Sequence, residues 1–149
     1  MDISRIDHTL IHFFRKISIP LARISLFVIY FWFGILKVLG LSPASGLVYA
    51  LHAQTIPLVP FYAFYIAFAL FECLIGILFL IKGAERIVIP LLLIHLFTTI
   101  LPLIFLPGMV WQMWFVPTLE GQYIIKNLAL ITAAIAIAAH LHPLPYHKK

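Results

Sequence analysis

Charge is scarce in this chain. Of its 149 residues, ten are Lys or Arg and five are Asp or Glu, so 10% are charged against 64% hydrophobic. Soluble domains carry about 25% charged and about 45–50% apolar residues, so this composition excludes an ordinary water-soluble globule. Cysteine is nearly missing as well. The single Cys73 excludes an internal disulfide and a self-contained CxxC redox centre, and a thiol in an apolar run is ordinarily inert. There is no phosphate-binding glycine loop, no HExxH and no Cys/His zinc spacing. No repeat recurs at a fixed period, inverted repeats of the secondary-transporter kind included. The alternating segments of a membrane barrel are absent too.

What the chain has instead is long apolar runs. Pro20–Gly40, Phe61–Ile81, Ile87–Leu106 and Gln122–Leu141 are each about 20 residues, enough to cross a hydrocarbon core of about 30 Å. Ahead of them, Ile3, Ile6, Leu10, Phe13, Phe14 and Ile17 fall at spacings of three and four. Asp2, Arg5, Asp7, His8, His12, Arg15 and Lys16 fill most positions between. That pattern predicts an amphipathic helix in the membrane interface. The expected fold is all-α: an integral membrane bundle of four transmembrane helices with an N-terminal amphipathic interfacial helix. Residues 1–18 form that helix, 19–142 the bundle and 143–149 a cytoplasmic tail.

A formal net charge of +5 invites a nucleic-acid reading, but its distribution argues against one. Arg5, Arg15, Lys16, Arg23, Lys82, Arg86, Lys148 and Lys149 all fall on one side of a four-span chain. The positive-inside rule then puts both termini and the middle loop in the cytoplasm. No small-residue cleavage site follows the first run, so a cleaved signal peptide is not expected.

Between the runs, Ser42 before Pro43 marks a helix start, and KGAER at 82–86 marks a tight turn. Pro90 should be tolerated near the start of the third span and Pro102 should kink it. Trp111, Trp114 and Phe115 suit the outer interface. Ala129, Ala133 and the stretch Ala134–Ala138 offer a small-residue packing face.

The polar residues inside the runs carry what chemistry there is. Glu72 lies eleven residues after Phe61 and His95 eleven before Leu106, so both sit roughly 16 Å below the outer edge, near the midplane. Ionisable groups at that depth face the bundle interior or a wet cavity, often paired. The pair reads as proton-handling or ligand-holding, or as a buried hydrogen bond locking the hairpin. Thr98 and Thr99 extend the polar track or bond back to their own helix. A second cluster, Lys37, Glu120, Lys126 and Asn127, is expected near the outer edge. There the lysines snorkel, or Glu120 neutralises one while the other faces an anionic ligand. A two-histidine haem site is not expected, because only His95 is central. His52 lies in the outer connection, and His140, His142 and His147 lie near the C-terminal end, so no metal site is expected.

FWFGILKVLGLSPASGLV, FECLIGILFLIKGAER and TLEGQYIIKNLALI together resemble the DoxX-like family of small bacterial membrane proteins. The resemblance covers most of the chain after about residue 20. Its glycine and lysine late in span one match Gly34 and Lys37, its glutamate and glycine in span two match Glu72 and Gly76, and its Lys-Asn matches Lys126 and Asn127. The resemblance implies a four-helix protein of the bacterial inner membrane, linked to redox or oxidative-stress physiology. It would be a quinone-proximal accessory or small subunit rather than an enzyme alone. No cofactor is intrinsic; quinone is the implied ligand. Glu72 and His95 would line a midplane cavity, with Lys37, Glu120, Lys126 and Asn127 as its outer gate. The alternatives are a structural subunit packed against a larger, respiratory-type membrane or redox complex, and a small-molecule transporter or channel. The partners expected are the lipid bilayer and such a complex, and no nucleic acid.

Overall fold

The three-and-four spacing of Ile3 to Ile17 does not stop at Ser18. The computed structural model describes residues 3–143, and in it a single helix, α1 (Ile3–Val38), runs 36 residues with Pro20 inside it. At 1.5 Å per residue it is roughly 54 Å long. The amphipathic helix expected ahead of the first span is present, but no break at residue 18 divides the two. Pro20 removes the backbone bond to the carbonyl four residues earlier. Ser18 Oγ donates to the neighbouring Arg15 carbonyl at 3.3 Å, and the helix carries through. The tail from residue 144, His147 included, lies outside the described residues.

The remaining elements are α2 (Ser45–Thr55), α3 (Phe61–Leu80), α4 (Glu85–Ile100), α5 (Pro102–Phe105) and α6 (Pro107–Val110), then β1 (Trp111–Met113), β2 (Val116–Pro117) and α7 (Leu119–Ala138). Four helices are long and apolar enough to cross a membrane: α1, α3, the α4–α5 unit and α7. The chain is therefore a multi-pass, all-α membrane bundle. Pro90 is absorbed within α4. Pro102 interrupts the third span as expected: regular helix ends at Ile100, and α5 starts afresh with Pro102 in its first turn.

Close packing centres on α1 and α3, not on the KGAER hairpin. A Cβ on Gly34 would lie 2.6 Å from Cys73 Sγ and 2.9 Å from the Ala69 carbonyl. One on Gly76 would lie 2.8 Å from the Phe31 nitrogen. Each helix thus presents its glycine to the other's backbone, the membrane way of bringing two helices close. Around this contact Leu26, Ile75, Phe79, Val88, Leu92 and Ile137 form the apolar core. The alanine face expected on α7 is only partly used: Ala134 is buried, while Ala129 and Ala136 are exposed.

One end of the bundle is basic. Arg23 pairs with Glu85 and donates from Nε to the Phe79 carbonyl at 2.8 Å, tying α1 to both sides of the α3–α4 turn. Arg23→Met removes a charge-assisted pair and should cost about 1.5–3 kcal/mol, read as a lower unfolding midpoint in mild detergent. A midpoint equal to wild type would mean the pair is solvated and idle.

The other end is aromatic. The β1–β2 hairpin, which the sequence reading did not anticipate, turns at Trp114 and Phe115, both largely exposed. Phe115 adopts the left-handed conformation, φ 57°. α7 begins at Leu119, three residues ahead of the expected Gln122, because Thr118 caps it: its Oγ1 accepts from the Gly121 nitrogen at 3.2 Å. The expected short helix after Ser42 is present as α2, starting at Ser45. It is tied to α3 by Ser45 Oγ and Tyr65 Oη, 2.6 Å apart.

Candidate functional site

On α1 the buried positions are Leu26, Tyr30, Gly34 and Lys37, a stripe at spacings of four, four and three. Tyr30 and Lys37 therefore leave the same side of the helix two turns apart, flanking the glycine that admits α3. Across from them, α3 supplies Glu72, one position before Cys73, and α4 supplies His95.

The four side chains form one continuous chain. Lys37 Nζ donates to Glu72 Oε2 at 2.6 Å. Glu72 Oε1 and His95 Nε2 are 3.0 Å apart, and His95 Nδ1 and Tyr30 Oη are 3.1 Å apart. All four residues are buried, with exposures of 4–6%. The matched depth expected of Glu72 and His95 becomes direct contact here.

One tautomer satisfies every partner. His95 Nε2–H donates to the carboxylate, and its bare Nδ1 accepts the Tyr30 hydroxyl proton. With Lys37 as ammonium, the assembly is one ion pair and is neutral overall. That matters at this depth, where an unpaired charge is expensive. The chain of bonds also has a direction: Lys37 Nζ and His95 Nε2–H both donate to the Glu72 carboxylate, and the Tyr30 hydroxyl donates to His95 Nδ1.

The ring of His95 is clamped. Phe68 stacks on it at 4.9 Å and 21°, and Tyr30 meets it edge-on at 5.1 Å. Phe68 itself stacks with Phe64 at 5.7 Å, and Phe64 packs on His52 at 5.1 Å. A column of rings thus runs from α2 to the ion pair. His52, buried at 5% exposure, keeps an Nε2 with no hydrogen-bond partner among the described residues.

The expected outer gate is not assembled. Lys37 turns inward to Glu72, because a nearby carboxylate in a low-dielectric interior outweighs the snorkelling route that an isolated lysine takes. Lys126 is exposed, its Nζ 5.3 Å from the Tyr123 ring centroid. Asn127 is one position on, about 100° around α7, and donates to Thr99 Oγ1 at 3.0 Å. Glu120 is exposed in the first turn of α7, where a carboxylate complements the helix dipole. Thr98 and Thr99 bond back to the His95 and Leu96 carbonyls at 2.7 and 2.9 Å, and Thr99 also receives Asn127.

Tyr30 was not among the expected site residues. Its signal was available: it sits seven residues before Lys37, two turns up the same face. Against this geometry, no family model, no curated protein and no solved structure matches the chain.

Proposed function

We propose that this protein is a proton-handling membrane subunit that works beside a lipid-soluble redox partner of the quinone class. The observation that carries the reading is the buried Lys37–Glu72–His95–Tyr30 chain at mid-depth. It joins a fixed charge pair to a histidine and a phenol, the groups needed to take up and return a proton where a quinone is reduced or oxidised. The DoxX-like resemblance points the same way and supports a bacterial inner-membrane protein in redox or oxidative-stress physiology. The skewed basic residues support cytoplasmic termini. No catalytic role falls to the chain alone: its part is to hold the proton and the headgroup while a larger complex moves electrons.

Wild-type protein extracted in mild detergent should carry a lipid-soluble quinone, and His95→Ala and the charge-free Lys37→Met/Glu72→Gln should lose it while remaining folded. Wild-type protein free of such a ligand overturns the proposal.

A second reading is favoured by the closure of the chain itself. Every link is satisfied internally, as in a bond that holds three helices together, so the protein would be a structural subunit of a larger membrane complex. In that case, native purification yields a stable large assembly whose composition is unchanged in His95→Ala.

A further inference from the structure

The buried chain of bonds is walled differently on its two sides. Towards the basic end, Leu26 stands four residues before Tyr30. Ile75 and Phe79 stand three and seven after Glu72, and Leu92 and Val88 three and seven before His95. All five are fully buried, at 0–1% exposure, and none carries a polar side-chain atom. The layer is about 10 Å deep. A buried water needs about two to four polar partners, and these side chains offer none.

Towards the aromatic end the same helices turn polar. Thr98 and Thr99 follow His95 by three and four residues, and Asn127 reaches Thr99 from α7 at 3.0 Å. On α3, Tyr65 lies two turns before Glu72 and meets Ser45 of α2. On this side α1 stops: Lys37 is one residue from its end.

What stands above Lys37 is α2. Gly34 packs against Ala69 and Cys73, so Lys37, nearly one turn further on, is level with Phe68, its Nζ 6.0 Å from that ring's centroid. α3 begins seven residues earlier, at Phe61, and so rises about 10 Å past the end of α1. There α2 packs on it. His52 lies against Phe61 and Phe64 at 5.4 and 5.1 Å, and Tyr49 meets Phe61 edge-on at 5.0 Å. The same helix also touches α5.

This cover is lightly held. Ser45–Tyr65 is the one side-chain hydrogen bond from α2 to α3 among the described residues. His52 Nε2 is sealed beneath α2 with no partner among them. An unsatisfied buried polar atom disfavours the state that buries it, and water meets it when α2 lifts. The connections on both sides allow that movement. Gly40 has φ 70° and open space around it, and residues 56–60 form no helix.

We infer that α2 is a hinged lid, and that the Lys37–Glu72–His95–Tyr30 chain exchanges protons with water at the aromatic end alone, when the lid lifts. The inference rests on the proton-handling reading above and adds the side of exchange and the element that governs it. A chain that only locks three helices together needs no such opening.

Thiol labelling in native membranes tests this, with a small, charged, membrane-impermeant methanethiosulfonate. Wild type, with only the buried Cys73, sets the background. Trp114→Cys, at an exposed position, marks the membrane face that the aromatic end reaches. His95→Cys should be labelled from that face and not from the opposite one. Leu92→Cys, about one turn nearer the basic end, should be labelled from neither. Adding His52→Phe replaces the unmet nitrogen with ring carbon and should slow His95→Cys labelling roughly tenfold. Adding Tyr65→Phe unties the lid and should speed it about threefold. Labelling of His95→Cys from the basic-end face, from neither face, or at a rate that both second substitutions leave unchanged overturns the lid. Labelling does not require a bound quinone, so a protein that lacks one refutes the redox partner and leaves this result standing.

Discussion

Glu72→Ala should leave the protein barely able to fold, and adding Lys37→Met should restore most of what was lost. In the native protein the Lys37 ammonium and the Glu72 carboxylate are 2.6 Å apart and almost fully buried. Removing the carboxylate strands a cation among Phe68, Gly34 and lipid-facing helices, and breaking a buried pair from one side costs about 3–5 kcal/mol. Removing both charges takes away the attraction and the desolvation cost together, and replacing a buried pair with apolar residues is often close to neutral. Unfolding in detergent, followed by size-exclusion chromatography and by denaturant titration, measures both variants. If Lys37→Met/Glu72→Ala is as unstable as Glu72→Ala, the charge pair is not what Glu72 holds in place.

The second large effect is expected at a glycine. Gly76→Val should open the α1–α3 contact, because its Cβ meets the Phe31 nitrogen at 2.8 Å and the Phe27 carbonyl at 3.1 Å. Backbone atoms cannot swing aside as a side chain does, so the helices must part. Overpacking costs about 1–3 kcal/mol, and the upper end applies where backbone is the obstacle. Gly46 has open space around it, and Gly46→Val should stay within about 0.5 kcal/mol of wild type. Comparable losses from both substitutions would show that helix propensity, not the close approach, governs the result.

These two positions mark where sequence reasoning succeeded and where it ran short. The four runs were legible because lipid imposes length and polarity on each helix by itself. The meeting of Glu72 and His95 was legible because it depends only on counting residues outward from one tight turn. Lys37 was not. The direction of a four-carbon stem depends on how near α3 lies, and that distance is set by Gly34 and Gly76 on two separate helices. Reading them as family markers left their reciprocal packing unseen.

Tyr30 escaped for a different reason: a tyrosine in an apolar run is unremarkable until the facing helix is known to carry a histidine at the same height. The supposed gate is dispersed: Lys37 turns to Glu72, Glu120 is exposed in the first turn of α7, and Lys126 and Asn127 part by angle. Lys126 and Asn127 are neighbours in sequence, yet α7 points one outward and the other at Thr99. The β1–β2 hairpin is too short to announce itself, since three residues and two residues leave no period to detect.

The continuity of α1 has a mechanical side. Tyr30 and Lys37 grip opposite ends of the buried chain of bonds, and both ride on the helix that begins at Ile3. A shift of α1 therefore reaches both ends of the chain of bonds at once, through Tyr30 and Lys37, whereas a shift of α4 reaches only His95.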